Sequence, residues 1–238
     1  MPKSRMSGVN RRDAIIMAAK KVFAENGLRG TSVKSIAQAA GVSEALLYKH
    51  FSSKEELYSA VLQFSRDLGL AHITELKNVG PGTEALVFFV YLLVETITLG
   101  VPERSVDQKA HERLFFRSLV SNNEYAEKAL ETVGTYLFDD LILASFDAAA
   151  RAGDLVESPI SCRDRMWFVH HLSMAMNLCN LTGSPTCEYA TPMPKLAEHA
   201  VLFCLRGLGL TDQAIRKYYQ PDTLRAQMMR LHEGLSSA

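Results

Sequence analysis

A glycine between two short apolar-periodic segments is the feature that most constrains this sequence. Gly41 follows residues 31–40 and precedes Ser43, which opens a second segment. Glycine adopts left-handed backbone dihedrals without a steric penalty, and a serine side chain can accept hydrogen bonds from the free N–H groups at a helix start. The spacing therefore predicts two short helices joined by a tight turn, which is a helix-turn-helix.

The apolar positions of these segments define an inner and an outer face. In the second segment, Leu47 and Phe51 lie four residues apart and can face one core together. In the first segment, with Thr31 as the expected helix cap, the core positions are Val33, Ile36, Ala37 and Ala40. The second helix is the one that would enter a DNA major groove. Its outward residues are Glu44, Ala45, Tyr48 and Lys49.

The charge distribution favours a polyanionic partner for the first part of the chain alone. The 238 residues carry 26 basic and 26 acidic side chains, so the formal net charge is zero. Residues 1–54 hold ten Lys and Arg against three acidic residues, and the remainder is acidic by the same margin. A basic excess that coincides with a helix-turn-helix favours DNA binding over a merely solvated basic face.

Two further helices flank the helix-turn-helix. The apolar stripe of residues 11–26 predicts a helix that Gly27 ends and that packs beside the other two. The run Ser-Lys-Glu-Glu at 53–56 is a capping box, which signals the start of another helix. That helix is expected to continue towards Lys77, long enough to link the first domain to a second.

The rest of the sequence predicts a helical bundle. It shows neither strand-like alternation nor an internal repeat, and helices are expected at 83–99, 108–120, 124–152, 162–181, 194–208 and after Thr211. The predicted fold class is therefore all-α. A three-helix helix-turn-helix domain is expected over residues 1–56, with 1–9 as a flexible arm, and a bundle domain over 57–238.

This layout resembles the TetR/AcrR family of bacterial transcription regulators. The resemblance extends over about residues 11–62, and beyond them only the architecture is similar. The matching residues are Phe23, Gly27, Thr31, Ile36-Ala37, Ala40-Gly41-Val42-Ser43, Leu47-Tyr48, His50-Phe51 and Lys54-Glu55-Glu56-Leu57. The resemblance implies a ligand-responsive regulator whose residues 57–238 bind an effector and dimerise.

The resemblance also implies which residues contact double-stranded DNA. Carried over by position, the general contacts are Thr31, Ser32, Lys34, Ser43, Tyr48, His50 and Lys54. Of these, Tyr48, His50 and Lys54 are expected mainly on phosphates. The positions implied to read base edges are Glu44, Ala45, Leu46 and Lys49. For Tyr48 and His50 the alternative is helix packing with a satisfied polar tip.

A small-molecule site inside the bundle is a further implication of the resemblance. Its candidate residues combine aromatic side chains with polar groups on otherwise apolar faces: Phe89, Glu95, Phe116, Tyr136, Trp167, His170, His171, Met174 and Asn177. Ordinary core packing is the alternative for each of them taken singly. Their composition suggests an apolar or aromatic ligand.

The resemblance further implies a homodimer through helices at about 162–181 and 194–208. Two-fold symmetry places two reading helices about 34–36 Å apart, so the operator is expected to be near-palindromic. We expect a repressor that a small hydrophobic or aromatic effector releases from this operator. Two alternatives remain open: a transcriptional activator, and an architectural protein that binds DNA without an effector.

Enzymatic, metal-dependent and membrane functions find no support in the sequence. It contains no GxSxG, HExxH, P-loop or Gly-rich dinucleotide motif, and the adjacent His170 and His171 must face different sides of a helix. Its four cysteines lack metal-ligand spacing, so we expect reduced thiols and neither a metal nor a cofactor. Without a visible signal peptide or membrane span, the chain is expected to be a cytoplasmic protein that is not an enzyme.

Overall fold

The described part of the chain is mostly helical. A computed structural model describes residues 8–61, 63–64, 80–99, 105–120, 124–138, 140–181 and 186–236. Side chains are described in these ranges except at 8–10, 105–111, 124, 136–137 and 231–236. Within this part of the chain, the β-type pairing is limited to one antiparallel bridge between Leu155 and Leu210. The predicted all-α class is confirmed.

Twelve helices are present in the described ranges. They are α1 (Gly8–Gly30), α2 (Val33–Ala40), α3 (Glu44–His50), α4 (54–61), α5 (Thr83–Leu99), α6 (Ser105–Val120), α7 (Glu124–Leu137), α8 (Asp140–Arg151), α9 (Cys162–Asn180), α10 (Lys195–Gly207), α11 (Asp212–Tyr218) and α12 (Pro221–Ser236).

The helices belong to two compact units. The N-terminal unit comprises Met1–Leu68 and Glu103–Thr132, and the bundle unit comprises Gly69–Pro102 and Val133–Ala238. The N-terminal unit thus includes α6 and part of α7 in addition to the helices that the sequence assigns to residues 1–56. Of the predicted arm, residues 1–7 lie outside the described residues, as does most of the predicted continuation of α4 towards Lys77.

The core of the N-terminal unit forms where the apolar stripe of α1 meets α2, α3 and α4. Leu47 and Phe51 are both buried, as their spacing predicts. Phe23 packs edge-on against Tyr58 with ring centroids 5.1 Å apart, and Tyr58 in turn lies 6.0 Å from Tyr125 of α7. Gly27 interrupts the helical path of α1 with a φ of 69°, so the predicted break is present although helical residues continue to Gly30.

Helix α6 lies alongside α1 and connects it to α7. The Arg117 guanidinium donates a hydrogen bond to the Glu25 carbonyl near the kink in α1. The Ser118 hydroxyl accepts hydrogen bonds from the backbone N–H groups of Tyr125 at 2.9 Å and Ala126 at 3.1 Å. Because the first N–H groups of a helix have no partner within it, Ser118 satisfies the start of α7 from a different helix.

Helix α5 is the centre of the bundle unit. Its residues 85–92 are all buried, and α8, α9, α10, α11 and α12 pack around it. A helix that is apolar on every side can be stable in water only when other helices surround it. The helix predicted at 83–99 is confirmed.

The prediction of one long helix over residues 124–152 was wrong. Residues 124–152 are predicted as a continuous helix, but α7 ends at Leu137 and α8 begins at Asp140. At the break, the Phe138 ring packs edge-on to Trp167 at 5.7 Å, with the Arg163 guanidinium 3.9 Å from its centroid. These tertiary contacts compete with helical continuation, and the positive end of a new helix favours the Asp140 carboxylate in its first turn.

Replacing Gly41 by Ala tests how far its backbone conformation stabilises the turn. Gly41 has a φ of 64° and nothing within 4 Å of a Cβ placed there, so alanine would be strained but not crowded. We expect Gly41→Ala to lower the free energy of unfolding by about 1 kcal/mol in urea denaturation. Gly30→Ala is the matched control, because a Cβ there makes an ordinary 3.7 Å contact with Asn26. Equal losses for the two variants would contradict this account.

Candidate nucleic-acid interface and bundle interior

The turn between α2 and α3 is fixed by two backbone hydrogen bonds. Gly41 adopts the left-handed conformation, with φ 64° and ψ 32°. Its N–H donates to the Gln38 carbonyl at 3.2 Å, and the Val42 N–H donates to the Ala37 carbonyl at 3.0 Å. This is a Schellman motif, which satisfies the last carbonyls of α2 and redirects the chain sharply.

Helix α3 starts from a side-chain cap and presents a polar outer face. The Ser43 hydroxyl accepts a hydrogen bond from the Leu46 N–H at 3.1 Å, which supports the predicted cap. Leu47 holds the inner face in the core, while Tyr48 is 50% exposed. The residues predicted to face outward are indeed exposed: Glu44, Ala45, Tyr48 and Lys49.

The cap of α2 is Ser32, so the prediction of Thr31 as the cap was wrong. The Ser32 hydroxyl accepts from the Ser35 N–H at 3.1 Å. The Thr31 hydroxyl is buried and points the other way, donating to the Gly27 carbonyl at 2.7 Å. The Gly27 carbonyl lies in the last turn of α1, where carbonyls are available as acceptors, and it accounts for the orientation of Thr31.

Lys54 joins three segments of the N-terminal unit. From the first turn of α4, its ammonium group donates to the Leu28 carbonyl at 2.8 Å and to the Thr31 carbonyl at 3.0 Å. These bonds occupy two of the three ammonium donors. The side chain thus fixes the end of α1 and the start of α2 against α4.

The start of α4 is a variant of the predicted capping box. The Ser53 hydroxyl accepts from the Glu56 N–H at 3.0 Å, as predicted. The Glu56 carboxylate accepts from the hydroxyl of Ser52 at 2.6 Å and from its N–H at 2.7 Å, one residue earlier than the motif requires. The hydroxyl and then the backbone hydrogen bond from Ser52 lower the pKa of Glu56, so the box keeps its negative charge at neutral pH.

The predicted DNA-contacting residues differ in how exposed they are. In addition to the four outward residues of α3, Ser32, Lys34 and Ser43 are exposed, whereas Leu46, His50 and Lys54 are half-buried. Thr31 is the one that is buried. The roles of all these residues towards DNA remain predictions.

Arg12 is an additional cation at this surface that the sequence did not single out. Its side chain is exposed, and its guanidinium carbon lies 4.9 Å from the centroid of the Phe51 ring at the end of α3. Arginine stacks favourably on an aromatic face. The contact joins Arg12 of α1 to Phe51 at the end of α3, two residues far apart in sequence. Neither segment alone indicates that they pair.

The comparisons with known proteins agree with this geometry. Residues 15–61 match the family model described as bacterial regulatory proteins, tetR family. The transcriptional activator FasR of Mycolicibacterium smegmatis is 47% identical over 60 residues, which are 25% of this chain and 27% of that protein. The transcriptional repressor KstR2 of the same species is 39% identical over 62 residues, which are 26% of this chain and 30% of that protein. These matches span less than a third of either relative.

Structural similarity extends over most of the chain. The structure of FadR from Bacillus subtilis in complex with stearoyl-CoA aligns with a TM-score of 0.57 and 18% identity, covering 82% of this chain and 98% of that one. At this identity the likeness establishes the fold alone. The chain is therefore an all-helical protein with an N-terminal helix-turn-helix. Its residues 15–61 are similar to the helix-turn-helix of the tetR family of bacterial regulatory proteins.

Glu95 of α5 carries a buried carboxyl group in the bundle unit. Its side chain is 4% exposed, and its Oε1 has no hydrogen-bond partner among the described residues. Burial raises the pKa of Glu95 to about 7, against a smaller lowering by the charge of Arg225. Arg225 itself bonds Glu198 at 2.9 Å, so its charge is shared. Glu95 therefore changes charge near neutral pH.

Helix α9 contributes a second set of buried polar atoms. Burial lowers the pKa of His170 to about 4, and its Nδ1 has no partner in the described part of the chain. The neighbouring His171 is exposed and stacks on Trp167 at 5.4 Å, so the two histidines face different sides as predicted. The Asn177 amide donates to the Ile97 carbonyl at 2.5 Å, while its Oδ1 is left without a partner by the residues described.

The remaining predicted ligand-site residues are placed differently from one another. Phe89 is buried in the core of the bundle unit, and Met174 is half-buried. Phe116 belongs to the N-terminal unit, where it packs edge-on to Phe115 at 5.5 Å. The side chain of Tyr136 lies outside the described residues. Ligand contact by any of these side chains remains a prediction.

Neither a metal-binding cluster nor a membrane-spanning helix is found in the described ranges. There, no three His, Cys, Asp or Glu side chains come together in a way that could hold a metal ion. No described helix combines the length and apolar character that crossing a bilayer requires.

Replacing Glu95 by Gln tests its burial through the pH dependence of stability. Because the folded-state pKa is raised to about 7 from 4.5, Glu95 destabilises the fold progressively as the pH rises through that window. We expect Glu95→Gln to gain about 3 kcal/mol of unfolding free energy relative to the parent between pH 4.5 and pH 8. Urea denaturation at several pH values measures the difference.

The matched control for this experiment is His170→Gln. The pKa of His170 is lowered to about 4, so the parent loses stability as the pH falls below the ordinary value of 6.5. This variant should therefore gain relative stability as the pH falls, which is the opposite direction. A pH-independent difference for Glu95→Gln would show that the carboxyl group is solvated in the folded chain.

Proposed function

We propose that this protein is a homodimeric transcriptional repressor that binds a near-palindromic operator and is released from it by a small effector molecule. The observation that carries the proposal is the exposed outer face of α3, held between the Schellman turn at Gly41 and the core residue Leu47. A short helix fixed on its inner face and polar on its outer face has the form of a recognition helix for the major groove.

Within the proposed interface, the exposed residues divide into two roles. Glu44 can accept a hydrogen bond from a cytosine amino group, and Ala45 can contact a thymine methyl group. Lys49 can donate to a base edge as well. Lys34 and Tyr48 are exposed donors that suit phosphate oxygens. Lys54 and His50 can contribute phosphate contacts with the donors that remain to them, and Arg12 adds a cation beside α3.

Exposed apolar side chains support the proposed dimerisation through α9 and α10. Phe168 of α9 is 59% exposed, and Phe203 of α10 is 69% exposed. Leu178 of α9 is also exposed. Large apolar groups on neighbouring helices are stabilised when a second copy covers them, because their area leaves water.

Unpartnered polar atoms in the bundle unit support a bound effector. Several side chains that are at least nine-tenths buried have a polar atom without a partner in the described ranges, among them Glu95, Thr98, His170 and Asn177. A buried polar atom without a hydrogen bond costs about 1–3 kcal/mol, which a ligand could recover. These atoms lie among apolar residues, so the effector we propose has a hydrophobic or aromatic body and a polar group. The FadR structure, with its stearoyl-CoA, is compatible with such a ligand.

Activation in place of repression is the second candidate function, because the relative FasR is named an activator. The relative KstR2 is named a repressor and favours the first candidate. As the proposed partner is chromosomal DNA, the proposal places the protein in the bacterial cytoplasm and gives it no enzymatic role. An architectural protein that needs no effector is the remaining alternative.

The experiment that tests the proposed function is selection of binding sites from random duplex DNA by the full chain. A two-fold symmetric consensus that binds far more tightly than random DNA supports the regulator, and transcription from a promoter carrying it separates repression from activation. Mass spectrometry of the denatured protein then shows whether an effector was already bound. Weak binding without a consensus, by protein free of small molecules, would overturn the proposal.

Removing single phosphate donors should weaken binding without changing base preference. We expect Lys34→Ala to lower affinity for consensus and random duplexes alike and to reduce the slope of log affinity against log salt by about 1. Tyr48→Phe should weaken both duplexes without changing that slope, since it removes no charge. Fluorescence anisotropy at several salt concentrations measures both effects. Lys128→Ala, an exposed lysine of α7, is the matched control and should leave affinity unchanged.

A charge placed on the proposed dimer face should separate the protomers. We expect Phe203→Asp to raise the dissociation constant of the dimer at least about 100-fold, because it removes two buried phenyl rings and buries two carboxylates. Sedimentation velocity across protein concentrations measures this. Val156→Asp is the control, because Val156 is an exposed apolar residue outside α9 and α10. Loss of the dimer in the control alone would place the interface elsewhere.

A further inference from the structure

Two of the four cysteines lie side by side at the end of α9. The Cys187 thiol donates to the Cys179 sulfur, with the two Sγ atoms 3.7 Å apart. Both cysteines are free thiols; Cys187 is exposed and Cys179 is half-buried. Both cysteines belong to the bundle unit.

The backbone around Thr186 holds this pair together. The Thr186 N–H donates to the Cys179 carbonyl at 2.9 Å, and the Thr186 hydroxyl donates to the same oxygen at 3.1 Å. This carbonyl is among the last of α9, which have no partner inside the helix. The two hydrogen bonds hold Thr186 at the end of α9. Because Thr186 is next to Cys187, they also keep the two sulfur atoms close together.

The other two cysteines provide an internal contrast. Cys204 is buried in the core, and that burial raises the pKa of its thiol to about 12. Cys162 is the first residue of α9 and therefore stands about 25 Å along the helix from Cys179. Among the described residues, the sulfur–sulfur hydrogen bond is the one between Cys187 and Cys179.

We propose that Cys179 and Cys187 form an oxidisable dithiol, which a hydroperoxide converts to an intramolecular disulfide. The sulfur atoms must approach from 3.7 Å to about 2.05 Å, a movement that side-chain rotation at an exposed helix end can supply. The bond closes a ring from residue 179 to residue 187. It ties the segment that leaves α9 to the end of that helix.

The reaction balances with hydrogen peroxide as the oxidant. The exposed Cys187 thiolate attacks one peroxide oxygen; an S–O bond forms, the O–O bond breaks, and the leaving hydroxide takes up a proton to become water. The Cys179 thiolate then attacks the Cys187 sulfur; the S–S bond forms, the S–O bond breaks, and a second water leaves. The two thiols lose two electrons in total, and the peroxide gains them.

The hydrogen bond between the thiols also sets the pH dependence of this reaction. That bond, followed by the charge of Cys179, raises the pKa of Cys187. Because the thiolate is the nucleophile, oxidation should accelerate about tenfold per pH unit in the range below that pKa. Any exposed thiol oxidises faster as the pH rises. The experiment must therefore also show that the disulfide joins Cys179 and Cys187.

The experiment uses the full chain, reduced, freed of reductant and treated with hydrogen peroxide. We expect reactive thiols counted after denaturation to fall from four to two. We also expect the tryptic peptide 166–195, which contains both cysteines, to become about 2 Da lighter and to recover on reduction. Cys187→Ser should lose this change, and the double variant Cys162→Ser with Cys204→Ser should keep it.

Three outcomes would overturn the proposal. One is retention of all four thiols at peroxide concentrations that fully oxidise the unfolded chain. Another is a disulfide between two chains, seen as a covalent dimer without reductant. The third is a Cys187 that gains oxygen atoms while Cys179 stays reduced. Because each readout follows sulfur atoms only, these outcomes do not depend on DNA binding.

Discussion

The Lys54 ammonium group is the interaction on which the geometry of the helix-turn-helix depends. It bonds the Leu28 and Thr31 carbonyls from the first turn of α4, and so holds the end of α1, the start of α2 and α4 in one arrangement. A charged donor to carbonyl oxygens is stronger than a neutral one and is only partly screened in a half-buried site. The same residue thus supports the fold and belongs to the predicted DNA surface, so its loss would affect both.

Sequence reasoning succeeded where the signal is local. Gly41 with Ser43 gives the turn and the cap, and the apolar segment of α5 gives the buried centre of the bundle unit. It failed where a distant group decides the outcome. Thr31 turns to the Gly27 carbonyl in the last turn of α1, and the break before Asp140 accompanies the packing of Phe138 on α9. Neither competing partner can be read from the segment it alters.

The candidate sites follow the same division. Exposure of Tyr48 and its neighbours on α3 follows from helical periodicity, because Leu47 fixes which face is inside. The bundle interior depends on pairs of residues far apart in sequence, such as Asn177 with the Ile97 carbonyl. A polar residue in an apolar segment, such as Glu95, therefore indicates that a polar group is buried. It does not show whether another residue of the protein supplies a hydrogen-bond partner. In the proposed function, the effector supplies such a partner.

The shortness of α3 has a consequence for how the protein responds to heat. A seven-residue helix is not stable by itself in water, so α3 depends on the packing of Leu47 against the helices around it. Local segments with few buried side chains open before the surrounding unit unfolds. We therefore expect warming to disorder α3 before the rest of the N-terminal unit unfolds.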